Sequence, residues 1–95
     1  MTFARFSPKA VRDLDNHCSH IAADNPEAAA RVRWVILNAA DLLAQHRELG
    51  RRIRKASPHH AQIRWFVVPK FRNYLIFYHD GFLKRLVEEI GRAHV

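Results

Sequence analysis

The densest run of reactive charge in the chain is Arg51-Arg52-Ile53-Arg54-Lys55, four cations in five positions directly after Gly50. Guanidinium and ammonium groups held this close together bind phosphates, or stabilise negative charge building on a phosphorane. Arg72, in the short segment PKFRN, is a further cation that a fold can bring to the same place. A charge run after a helix is equally the pattern of a solvated face, and a basic patch for a macromolecular partner is a third reading. His59-His60 follow in the same segment. Imidazole titrates near neutral pH, so such a pair has the chemistry for base and acid in 2′-hydroxyl attack on RNA. Adjacent residues of an extended segment point to opposite sides, however, which favours two ordinary loop histidines.

The other candidates are weaker. His17, His20 and His46 fall on helical segments without a Cys, Asp or Glu constellation at metal-ligand spacing, and His17 with His20 alone is a weak i, i+3 pair. No metal site and no cofactor is expected. Cys18 sits on an apolar stripe and reads as a small core residue. Trp34, Trp65, Phe66, Tyr74, Phe77 and Tyr78 have the faces to stack on bases, yet their positions in helix and strand patterns point to core packing. There is no Gly-rich phosphate loop and no Ser-His-Asp arrangement.

The elements that must position these residues are marked by local signals. TFARF is short and β-prone, and reads as a strand. Ser7-Pro8 then starts a helix, because Ser caps free N–H groups and Pro fits the first helical position. Val11, Leu14, Cys18 and Ile21 follow at helical spacing. Asn25-Pro26 repeats the device, so two helices fold back as a hairpin; the second carries Val32, Val35, Ile36, Ala39 and Leu43, and Gly50 is read as its stop. Residues 51–60 are basic, contain Pro58 and lack an apolar stripe, which predicts a loop or irregular arm. IRWFVVP, NYLIFYH and FLKRLVE are three strand-like runs. Asp80-Gly81 between the last two predicts a two-residue type I′ turn. The order β-α-α-β-β-β predicts an α+β fold, a mainly antiparallel sheet with a helical hairpin packed on one face.

Composition narrows the class. The chain has 95 residues, 48% of them hydrophobic, which suits one domain with one core. Sixteen Lys and Arg against nine Asp and Glu give a net charge of +7, a field that favours polyanions or an acidic protein. A single cysteine excludes an internal disulfide and fits a reducing compartment. No stretch has the length of a signal-peptide core or a membrane span, so a cytoplasmic location without membrane contact is expected.

SPKAVRDLDNHCSHIAADNPEAAARV, with Leu49-Gly50-Arg51 behind it and Tyr74-Leu75-Ile76-Phe77-Tyr78 further on, resembles the ParE/RelE superfamily of bacterial type II toxins. The ParE-like branch is the more similar, and the resemblance runs from Phe6 to about Val87. It implies a toxin neutralised by a cognate antitoxin in a hetero-oligomer. ParE members poison DNA gyrase without catalysing a reaction, which would make Arg51, Arg52, Arg54, Lys55 and Arg72 target- or antitoxin-binding residues. RelE members cut mRNA at the ribosome, and Arg51, Arg54, Lys55 and Arg72 would then surround the scissile phosphate. An inactive truncated remnant with the same fold is the third possibility.

The last seven residues, EIGRAHV, hold Arg92 and His94, two groups suited to phosphate chemistry. The same peptide is the translation of GAG ATC GGA AGA GCA CAC GTC, which resembles a ligation adapter used in short-read sequencing, and the next adapter codon is a stop. The expectation is therefore a toxin-like domain at 1–88, truncated at its C-terminal end, and a non-native tail at 89–95.

Overall fold

The computed structural model describes residues 4–53, 57–58 and 61–88. Its elements are β1 (Arg5–Phe6), α1 (Pro8–Ala22), α2 (Pro26–Gln45), β2 (Arg51–Arg52), β3 (Arg64–Val67), β4 (Tyr74–His79) and β5 (Phe82–Glu88). Both helix starts form as the sequence predicts. Ser7 Oγ accepts from the Ala10 N–H at 3.0 Å and Asn25 Oδ1 from the Ala28 N–H at 3.0 Å, each with Pro in the first helical turn.

The sheet is five-stranded, in the order β1-β5-β4-β3-β2. All pairings are antiparallel except β1 with β5, which run parallel through Arg5↔Phe82 and Phe6↔Leu83. Asp80 and Gly81 have φ of 54° and 82°, both in the left-handed region that a type I′ hairpin requires, and His79 faces Phe82 across the turn. At the other hairpin Lys70 also takes a positive φ of 74°, directly after Pro69, in the place where type II turns favour glycine.

Alternation along β4 sorts the two faces of the sheet. Tyr74, Ile76 and Tyr78 point inward with Leu83 and Leu86 of β5, and join Leu14 and Cys18 of α1 and Val32, Ile36 and Leu43 of α2 in one core. Leu75, Phe77, Trp65, Val67 and Val87 lie on the opposite face and are half-buried.

Three expectations need correction. Arg51 and Arg52 are a short edge strand and not part of a loop; with both residues exposed, no apolar alternation marked it. Val11 faces solvent, and Ala10 takes the core position on α1 in its place. Gly50 is not the stop of α2, which ends at Gln45 with His46 as its cap; its role is steric. A Cβ at Gly50 would lie 2.6 Å from the Tyr78 ring and 2.8 Å from the Trp65 carbonyl oxygen.

Candidate functional site

Arg51 and Arg52 are carried on a firmly held edge. The Tyr78 hydroxyl accepts from the Gly50 N–H at 2.7 Å and donates to the Arg47 carbonyl at 2.8 Å, which fixes the chain just ahead of β2. Burial raises the Tyr78 pKa, so the phenol stays protonated and able to donate. Arg64 of β3 donates to the Gly50 carbonyl at 2.7 Å from the adjoining strand. Its charge is thus spent on backbone, which lets Arg52 sit directly opposite it in the β2–β3 register. Arg51 lies with its guanidinium carbon 6.0 Å from the centre of the Trp65 ring, a cation–π arrangement. Both arginines are exposed.

Arg72 is exposed too, but it lies in the β3–β4 turn, whereas Arg51 and Arg52 face the first residues of β3. At roughly 3.3 Å per residue, the length of β3 separates these positions by about 10 Å or more. The structure therefore does not converge Arg72 with Arg51 on one phosphate. Arg54, Lys55, His59, His60, Arg92 and His94 lie outside the described residues.

A second feature was not legible in the sequence. On the face of the sheet away from the core, a groove of about 710 Å³ opens between β5, the flank of β2 and the start of α1. Ile53, Ile63, Phe77 and Val87 give it an apolar lining, and Lys9 and Arg12 of α1 stand at its edge. Arg85 also borders it, tethered by Asp13: its Nε donates to Asp13 Oδ2 at 2.7 Å, and the Leu86 N–H donates to the same oxygen at 3.0 Å. Burial alone would raise the Asp13 pKa, but the Arg85 guanidinium and the Leu86 N–H outweigh it and hold the carboxyl below its usual range. Ser7 completes the seam by donating to the Lys84 carbonyl at 2.7 Å. Groups that belong to the open edge of β5 are thus satisfied by α1 and its cap. These partners are separated by more than seventy positions in sequence, beyond the reach of any local pattern.

The remaining candidates resolve simply. No group of three or more His, Cys, Asp or Glu able to hold a metal occurs among the described residues. His17 packs edge-on against Tyr74 at 5.2 Å between ring centres and lies 3.6 Å from a Glu88 carboxylate oxygen. Cys18 is buried in the core, and burial raises its pKa, so it is an unreactive thiol. Tyr74 and Tyr78 are core residues as expected; Trp65, Phe66 and Phe77 are half-buried, and Trp34 is 65% exposed, contrary to its reading as a packing residue. Among the described residues, no helix is long and apolar enough to cross a membrane.

The fold and the site together define a small, strongly basic α+β protein whose cations are displayed on an edge strand, a turn and the rim of an apolar groove. A model of one protein family, described as the ParE toxin of type II toxin-antitoxin system, parDE, matches residues 4–93. The chain belongs to that family. Among solved structures it is similar to a chain of the chromosomal ParDE TA system from P. aeruginosa, with 18% identity, a TM-score of 0.69, and coverage of 93% of this chain and 96% of that one. That likeness is one of fold. No curated protein matches.

The family's sequence marks have physical reasons here. Tyr74, Ile76 and Tyr78 are the inward-facing residues of the central strand, and the Gly50 in Leu-Gly-Arg leaves room for Tyr78 to anchor β2.

Proposed function

We propose that this ParE-family toxin acts by binding, with DNA gyrase as its target, and that a cognate antitoxin neutralises it. The observation that carries this reading is the spread of the cations. Arg51 and Arg52 stand at one end of the β3–β4 hairpin and Arg72 at the other, with Arg51 over Trp65, an arrangement suited to a broad acidic protein surface. Cleavage of RNA asks for acid, base and charge stabiliser around one phosphate. Arg51, Arg52 and Arg72, with Arg54 and Lys55 in the adjoining segment, are the proposed contact residues for target or antitoxin.

The antitoxin reading draws on the apolar groove beside α1 and on the net charge of +7, which together call for an acidic segment with apolar side chains. Such a toxin works in the cytoplasm, where gyrase is found. The test is expression of the gene in a bacterial host: growth arrest with DNA damage and inhibited gyrase supports the proposal. Arrest with mRNA cleavage and unimpaired gyrase overturns it in favour of a ribosome-dependent endoribonuclease.

A further inference from the structure

α2 meets the β3–β4 turn at a second groove, of about 430 Å³, lined by Ala30, Arg31, Trp34, Val35, Lys70 and Phe71. The apolar surface here is unusually open, since Trp34 is 65% exposed on the middle of a helix that buries its other face. Trp and Arg are the residue types most enriched where binding energy concentrates in protein interfaces. Arg31 and Lys70 make no ion pair with a carboxylate among the described residues, although Arg33, Arg47 and Arg85 each do. Lys70 also holds a left-handed conformation, φ 74°, that an L-residue adopts only at some strain. Strain retained at one charged turn residue, beside an exposed tryptophan, points to use of that side chain.

We propose that this groove docks a short acidic segment of a partner protein, with a bulky apolar side chain seated between Trp34 and Phe71 and carboxylates on either side reaching Arg31 and Lys70. Charge complementarity selects the occupant. A second copy of the chain would bring another +7 of like charge to the contact. Nucleic acid would demand a longer track of cations than two flanking a largely apolar floor. The site shares no lining residue with the groove beside α1 and excludes Arg51 and Arg52, while Arg72 of the proposed target surface adjoins Phe71 in the same turn; a peptide titration reads binding at Trp34 and Lys70 without gyrase.

The probe is a synthetic peptide, acetyl-Gly-Asp-Glu-Leu-Phe-Asp-Glu-Gly-amide, titrated into the isotope-labelled protein and followed by amide and indole NMR shifts. Its Asn/Gln counterpart and a short oligothymidine serve as controls. The expected shifts centre on Ala30, Arg31, Trp34, Lys70 and Phe71, with affinity falling roughly tenfold in Trp34→Ala and in Lys70→Ala, and recovering in Lys70→Arg. Lys70→Gly separates binding from structure: it relieves the positive φ, so the melting temperature should hold or rise while peptide affinity falls. Equal binding of the neutral peptide, tighter binding of the oligothymidine at the same residues, shifts centred elsewhere, Trp34-dependent self-association, or full affinity in Lys70→Gly would each overturn the proposal.

Discussion

Replacing Gly50 with Ala should destabilise the domain far more than a single added methyl on a strand edge normally does. The new Cβ would sit 2.6 Å from both Cε1 and the hydroxyl oxygen of Tyr78 and 2.8 Å from the Trp65 carbonyl oxygen, with Tyr78 itself fully buried. Two of those neighbours cannot give way cheaply: one is backbone, and the other is a ring fixed in the core. Over-packing of this kind costs about 1–3 kcal/mol. Displacing the Tyr78 hydroxyl also weakens its bonds to the Gly50 N–H and the Arg47 carbonyl, each worth about 1 kcal/mol. The lower entropy of the unfolded Ala chain returns about 0.4–1 kcal/mol. The net is a loss of about 3 kcal/mol, or a fall in melting temperature of roughly 12–24 °C for a domain this size.

Tyr78→Phe should lose about 2 kcal/mol, because a buried N–H and a carbonyl are left without their partner. The double variant should fall short of additivity by about 1–2 kcal/mol, since either change alone already breaks the same lock. Urea denaturation of the four proteins measures this cycle. A loss below about 0.5 kcal/mol in Gly50→Ala, or strict additivity, would refute the steric role assigned to Gly50.

Asp13 carries a pH prediction. Against burial, the Arg85 guanidinium and the Leu86 N–H hold its carboxyl below the usual range, so its contribution is fully present above the unfolded pKa and is lost as pH falls below about 4 through the folded value. Asp13→Asn should lower stability by about 1–2 kcal/mol at pH 7 and flatten the fall of the urea midpoint below about pH 4 relative to the parent protein. Replacing Arg51, Arg52, Arg54 and Lys55 together with Ala should weaken toxicity in a growth assay while the melting temperature, read by calorimetry, stays close to that of the parent. Undiminished toxicity would return the run to an ordinary solvated face.

Features set by local backbone chemistry were legible in the sequence. Ser7-Pro8, Asn25-Pro26 and Asp80-Gly81 each impose a conformation within a few residues, and each forms where expected. The inward residues of β4 were legible because alternation on a half-covered strand is a strong signal. The parallel pairing of β1 with β5 and the Asp13–Arg85 contact were not, because they join residues more than seventy positions apart. β2 was missed because both its residues are exposed arginines held by the Tyr78–Gly50 bond rather than by burial. Trp34 was misread because hydrophobicity at a helical position does not say which side of the stripe it occupies, and here it stands outside the core. The groove beside α1 is assembled from five separate stretches of chain and has no linear signature.

The most direct measurement is DNA supercoiling by purified gyrase, with the toxin added alone or with the product of the neighbouring gene as antitoxin. Binding to gyrase predicts loss of supercoiling at near-stoichiometric toxin, with recovery when the antitoxin is present in excess. Unchanged supercoiling at saturating toxin, together with cleavage of mRNA on added ribosomes, would contradict it.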